Sequence, residues 1–210
     1  MPDRADEELR ARASALRAEA GLVLDELGLA ALVADIGPLL LAGSYVSGLM
    51  CWRDLDIGLL GGPDFSPHDV LDLLRRFVEL PGIVGFDYRD ERGSRSPTGE
   101  VRDERYHLPI TYQRATGPWR IDLTVWLHDP HTNVTVWHEN LRDTVTAEER
   151  AAILRIKDVW HRLPGYPDHV SGWEIYAAVL DDGVSTPTRF ATWLTEHGLP
   201  NDLAVRTTSG

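Results

Sequence analysis

The stretch LLLAGSYVSGLMCWRDLDIGLL, residues 39–60, decides how the rest of the chain is read. It sets Asp54 and Asp56 one residue apart inside an apolar run, with nine residues separating them from a Gly43-Ser44 pair. A strand alternates its side chains, so both acids take one face while Leu55 and Ile57 take the other. Two carboxylates on one face repel, and one pKa rises unless a cation stands between them. Their carbons lie roughly 7 Å apart along a strand, within reach of one hard cation or two adjacent ones. Magnesium suits such a pair, since it takes oxygen ligands and combines one or two carboxylates with substrate phosphate.

The residues upstream supply the phosphate side. LLLAG, 39–43, reads as a short buried strand, and Ser44 as the cap of a short helix running to about Met50. A helix N-terminus presents unpaired backbone N–H groups to an anion. Gly43 has no side chain to keep a phosphate off the backbone, and Ser44 adds a hydroxyl donor. A third acid is expected on a neighbouring strand. Asp122 fits, in WRIDLTVWL, 119–127, where Ile121, Leu123 and Val125 alternate with Arg120, Asp122 and Thr124. Three acids can hold two ions, which clamp the attacking and leaving oxygens of an in-line displacement. Asp122 is also placed to take a proton from an attacking hydroxyl. Gly93-Ser94 with Asp103 downstream repeats part of the pattern, but in D-E-R within a polar loop rather than on a strand.

Gly43-Ser44, then Asp54-Leu55-Asp56, then Asp122 in a hydrophobic strand together resemble the DNA polymerase beta-like nucleotidyltransferase superfamily. That superfamily includes poly(A) and terminal uridylyl transferases and antibiotic nucleotidyltransferases. The resemblance covers about residues 25–127. It implies that Asp54 and Asp56 bind two magnesium ions, that Asp122 completes the second metal site and acts as base, and that Gly43 and Ser44 hold the triphosphate. RAAILRIKDVW resembles the helix of poly(A)-polymerase-like members whose lysine touches the triphosphate, here Lys157. A cation there would offset charge on departing pyrophosphate. HVSGWEIYAAVL, 169–180, resembles the following helix, which carries nucleoside contacts; Ser171 and Tyr176 are the candidates, although Tyr176 reads first as a core residue.

The remaining chain frames this centre. Residues 4–19 and about 21–35 read as two helices, with a stop at Gly37-Pro38; SPHDVLDLLRRFVEL, 66–80, reads as a helix capped by Ser66. Strands are expected at 83–89, 106–113 and 119–127, the last two joined by a turn around Gly117-Pro118. Residues 90–105 read as a mobile polar loop, either a disordered insertion or a flap over acceptor or triphosphate, with Arg92, Arg95 and Arg102 giving it a basic character. Thr146 and Glu149 form a capping box that opens a helix over 146–163, and further helices follow at 171–181 and 187–197. The expected fold is α+β: an N-terminal helical lead (1–36), a nucleotidyltransferase-like mixed sheet flanked by helices (37–140), a C-terminal helical part (141–200) and a tail (201–210).

Composition narrows the partners. The chain has 210 residues and a formal charge of −12, which argues against an extended nucleic-acid surface. One cysteine, Cys51, cannot form an internal disulfide, the charged N-terminus lacks the apolar centre of a signal peptide, and no apolar run reaches membrane-spanning length, so a cytoplasmic protein is expected. Compared with the large superfamily members the chain is short, acidic and without a separate RNA-binding module. A small molecule or protein hydroxyl is therefore the expected acceptor, with two magnesium ions and a nucleoside triphosphate, ATP foremost. Two rivals stand beside this: modification of a toxin-type partner protein, and a non-catalytic nucleotide-binding module. His128, His131 and His138 match no zinc spacing and read as loop histidines. Most tryptophans read as core, and Arg53 either as a partner for a carboxylate or phosphate or as an ordinary surface charge.

Overall fold

In the computed structural model the described residues are 3–128 and 134–203. The chain opens with α1 (Arg4–Leu27), α2 (Leu29–Leu32), β1 (Leu40–Leu41), α3 (Gly43–Ser47) and β2 (Asp54–Leu60). It continues through α4 (Pro67–Val78), β3 (Ile83–Phe86), β4 (Arg89–Glu91), β5 (Arg105–Arg114) and β6 (Gly117–Trp126). The last helices are α5 (Val134–Thr144), α6 (Ala147–Trp160), α7 (Gly172–Leu180) and α8 (Pro187–Glu196). The α+β expectation holds. The described residues fall into two compact units: a sheet unit (17–48, 53–128 and 134–143) and a helical unit (3–16, 49–52 and 144–203).

The sheet unit is built on the strand order β1-β2-β6-β5-β3, with β4 also pairing β5. The β2–β6 pair is parallel and the others are antiparallel. Leu55, Ile57 and Leu59 on β2 and Ile121, Leu123 and Val125 on β6 are buried, as the alternating pattern requires. Leu108 and Ile110 of β5 and Val70, Leu73, Leu74 and Phe77 of α4 complete the apolar set. Ser66 caps α4, with Pro67 in the first turn and Asp69 closing the capping box. Pro109 lies inside β5, where a missing N–H would normally break a ladder. The outer neighbour is itself interrupted there: β3 ends at Phe86, β4 starts at Arg89, and Asp87 N–H donates to Pro109 O at 2.8 Å.

The helical unit packs Trp160 of α6 edge-on against Phe190 of α8, with ring centres 4.8 Å apart. The capping box of Thr146 and Glu149 opens α6, and that of Ser171 and Glu174 opens α7. The early part of α1 is tied to α6 by ion pairs of Arg155 with Asp6 and of Asp158 with Arg12.

Several sequence expectations need correction. The first two expected helices are one element of 24 residues, because the helix runs through Gly21 and stops at Gly28, whose φ of 57° is left-handed. The turn between β5 and β6 is at 115–116, and Gly117 and Pro118 already belong to β6. Residues 90–105 are not an open loop. They hold β4 and two short 3-10 turns, Gly93–Arg95 and Val101–Asp103. Their arginines are paired: Arg92 and Arg95 with Asp90, Arg102 with Glu100, Arg105 with Glu91. Such local pairing leaves no hydrophobic period, which is why the segment reads as structureless. His138 lies on α5 and is buried rather than in a loop, His128 faces Glu104 at 3.4 Å, and His131 lies outside the described residues. The expected tail over 201–210 lies outside them from 204 onward.

Candidate active site

The parallel pairing of β2 with β6 assembles the acids. It sets Asp56 across from Asp122 and Asp54 across from Arg120. Alternation turns these residues to one face, opposite the buried Leu55, Ile57, Ile121 and Leu123. One carboxylate oxygen from each of Asp54, Asp56 and Asp122 lies within 4.8 Å of the other two. Asp122 is 9% exposed, so its charge is little screened by water. Three oxygens so close, all from carboxylates, make a donor set for a hard divalent cation.

Gly43 forms the floor beside them. Its φ is 62°, a left-handed value, and it opens α3 directly after Ala42, whose N–H donates to Asp56 O at 3.1 Å. A Cβ on Gly43 would sit 1.6 Å from Asp56 Oδ2, so no side chain fits between this backbone and the carboxylate. Two independent constraints, conformation and space, thus require glycine. Ser44 is not the helix cap: Ala42 holds that position, and Ser44 lies in the first turn of α3, 5% exposed. Among the described residues its hydroxyl makes no hydrogen bond. A buried hydroxyl beside a glycine turn and a carboxylate cluster is suited to donate to an anion that arrives with a cation. Ser47 Oγ donates to Gly43 O at 3.2 Å, and Thr135 Oγ1 to Leu41 O at 2.6 Å, which fixes the segment from both sides.

The flanking charges are tied down. Arg53, directly before β2, pairs with Glu19 of α1 at 3.2 Å. Glu19 also accepts from Arg114 Nη1 at 3.2 Å, from Trp119 Nε1 at 3.3 Å and from Thr116. Burial presses the Glu19 carboxyl upward, but the Thr116, Trp119 and Arg53 donors outweigh it and hold the pKa below the ordinary glutamate value. Next to Asp122, Arg120 Nε donates to Oδ1 at 2.8 Å, and His107 Nε2 stands 3.9 Å from the same oxygen. His107 is shifted down by burial, against the pull of Asp122.

Lys157 belongs to the helical unit, on α6, and is 3% exposed. Its Nζ donates to Tyr176 Oη at 3.4 Å and lies 5.6 Å from the centre of that ring. Burial opposes the charged ammonium, but Tyr176, Tyr166 and Cys51 outweigh it and hold the pKa well above the ordinary lysine value. Ser171 is taken up as the α7 cap, with its Oγ 2.7 Å from Glu174 Oε2, and Tyr176 is buried. Sequence reasoning passed over Trp173. It is 51% exposed at the start of α7, with its ring edge-on to Tyr176 at 6.4 Å, whereas Trp119 and Trp160 are core. Its place in the first turn, outside the apolar period of α7, is the signal that marks it.

No protein-family model matches the chain, and no curated protein matches it. Solved structures do. A cytoplasmic RNA terminal U-transferase matches at 16% identity with a TM-score of 0.51, over 83% of this chain and 53% of that one. The Cid1 poly(U) polymerase matches at 16% identity with a TM-score of 0.45, over 67% of this chain and 40% of that one. The chain therefore spans about half the length of the U-transferase. The chain shares its fold with that U-transferase, a terminal transferase of the kind named in the motif resemblance. Among the described residues no helix is long and apolar enough to cross a membrane.

Proposed function

We propose that this chain is a magnesium-dependent nucleotidyltransferase, moving a nucleoside monophosphate from a triphosphate to a hydroxyl and releasing pyrophosphate. The observation that carries this reading is the joining of the acid triad to the Gly43 turn, with a carboxylate oxygen where a Gly43 Cβ would be. When bound, two divalent ions would supply Lewis-acid stabilisation of the transferring phosphoryl group. Asp54 and Asp56 would hold both ions, and Asp122 would complete the second site. The Gly43 backbone and the Ser44 hydroxyl would bind the triphosphate oxygens. The acceptor oxygen would bond to the α-phosphorus as the α–β bridging bond breaks, and the acceptor proton would pass to Asp122. Lys157, a charged and buried ammonium hydrogen-bonded to a phenol, is the phosphate-binding cation of the helical unit. The exposed face of Trp173 is a surface on which a base can stack.

For the acceptor we infer a small molecule or protein hydroxyl. The matched U-transferase is described as an RNA terminal U-transferase, yet here the arginines of residues 90–105 are held in ion pairs and the net charge is −12. A polynucleotide track needs an excess of positive charge along one face. The test is pyrophosphate release with magnesium from each of the four nucleoside triphosphates, ATP and UTP first, against small hydroxyl acceptors, a protein extract and an oligoribonucleotide. Release that needs magnesium and vanishes in Asp56→Asn supports the reading. Release unchanged in that variant sinks it, and strong preference for the oligoribonucleotide overturns the acceptor inference.

A further inference from the structure

The two edges of the sheet differ. At one end β1 is covered, because Thr135 Oγ1 of α5 donates to Leu41 O at 2.6 Å. At the other end, among the described residues, no strand lies beyond β3. Residues of an antiparallel ladder alternately turn their N–H and C=O toward the neighbouring strand and away from it. Asp87 N–H donates inward to Pro109 O at 2.8 Å, so the N–H and C=O of Phe86 point outward. The side chains along this edge are apolar: Val84 is 64% exposed, Phe86 46%, and Tyr88 is exposed with them. Leu71 and Val78, seven residues apart on one flank of α4, are exposed as well. Arg76, on the opposite flank, reaches Leu32 O and Asp35 in the segment leading into β1, which leaves Leu71 and Val78 on the β3 side. Residues 80–86, LPGIVGF, hold no charged side chain. Monomeric proteins commonly guard such an edge with a lysine or an inward-pointing charge.

We propose that this edge is a dimer interface, taken by the same edge of a second copy running antiparallel, with the two-fold axis at Phe86. In that register the two Phe86 residues exchange both backbone hydrogen bonds. Val84 stands opposite the partner's Tyr88, an aliphatic–aromatic cross-strand pair. Asp87 faces the partner's Gly85, so the two Asp87 carboxylates do not oppose each other. A bulge between Ile83 and Gly85 keeps the pairable stretch short, and the flank of α4 supplies the rest of the contact. Side chains of these sizes at these exposures present roughly 450 Å2 of apolar surface per copy. Two copies with their paired backbones bury about 1,000 Å2, the lower bound for a specific interface.

The test is sedimentation equilibrium of the full chain from low micromolar to near-millimolar concentration. The mass should rise from that of one chain to that of two. Phe86→Asp sets two carboxylates against each other on the axis and should weaken association at least about a hundredfold. Thr192→Asp, at an exposed position on α8, should leave it within about twofold. Thermal melting confirms that each variant is folded. Should Phe86→Asp fail to fold, Val84→Lys decides in its place and should weaken association at least about tenfold. Phe86→Cys should cross-link two chains under mild oxidation, since a hydrogen-bonded antiparallel pair holds its Cα atoms about 5.5 Å apart. The native Cys51 is buried, and Thr192→Cys should not cross-link. A chain that stays monomeric throughout overturns the proposal and leaves the edge to a strand of another protein. A dimer unaffected by Phe86→Asp or Val84→Lys, or cross-linking as ready at Thr192 as at Phe86, overturns it too.

Discussion

The chain contains two Gly-Ser pairs with acids downstream, and they part ways. Gly43 and Gly93 both have left-handed backbones, with φ of 62° and 57°, and both open a short helical turn. A Cβ on Gly43 would strike Asp56, whereas one on Gly93 would meet nothing within 4 Å. After Gly43 the acids lie on a strand whose parallel partner brings Asp122 to the same face. After Gly93 the acid is Asp103, which accepts from Thr98 Oγ1 and stands 3.8 Å from Arg102 Nε. The first set of carboxylates converges on one face of the sheet, whereas Asp103 sits in a short 3-10 turn. Local sequence allows the turn in both places; only the first has a neighbouring strand that completes a site.

The largest test of this contrast is to neutralise one acid in each place. Asp56→Asn should lower magnesium-dependent pyrophosphate release about a thousandfold, while Asp103→Asn leaves it within about twofold. A comparable loss from both would erase the distinction. Next is the glycine exchange. Gly43→Ala should cost about 1–3 kcal/mol in chemical denaturation and about tenfold in Mn2+ affinity, because it combines left-handed strain with collision against Asp56. Gly93→Ala bears the backbone strain alone and should cost about 1 kcal/mol with no change in Mn2+ affinity.

A smaller effect lies in pH. Glu19, which braces Arg53 beside the acid strand, has its folded pKa below the ordinary value of 4.5. Its contribution is fully present above the unfolded pKa and is lost as pH falls through the lower folded value. Asp90, which braces the second Gly-Ser segment through Arg92 and Arg95, is shifted the same way, by its hydrogen bonds to those arginines against burial. Glu19→Gln should therefore destabilise the chain by about 1–2 kcal/mol at pH 7, with the difference from wild type shrinking below pH 4. A constant difference down to pH 3 would show that Glu19 acts by packing rather than charge. The smallest expected change is Asp103→Asn in melting, within about 0.5 kcal/mol, since its pairing is exposed at Arg102.

Much of the fold could be read without coordinates because its signals are local. The capping boxes at Ser66, Thr146 and Ser171, the alternation in β2 and β6 and the glycine stops each depend on residues a few positions apart. The misread places are those where distant partners set the conformation. Residues 90–105 fold through side-chain pairing that has no period, and β4 exists because β5 offers it an edge. Arg53 can be recognised as a charge in sequence, but its commitment to Glu19 needs the contact between α1 and the β5–β6 hairpin region. Trp173 looks like one more tryptophan until its exposure is known.

The sequence alone determined the types of groups in the site: two acids on one strand face, a glycine before a small polar residue and a lone acid in a second strand. Those follow from alternation and turn chemistry, which act over a few residues. That Asp122 stands opposite Asp56, that Gly43 presses against Asp56, and that Arg120 occupies one oxygen of Asp122 were decided by the tertiary structure. The pairing of β2 with β6 joins segments more than sixty residues apart, and such a register depends on burying both apolar faces together rather than on any short stretch of chain.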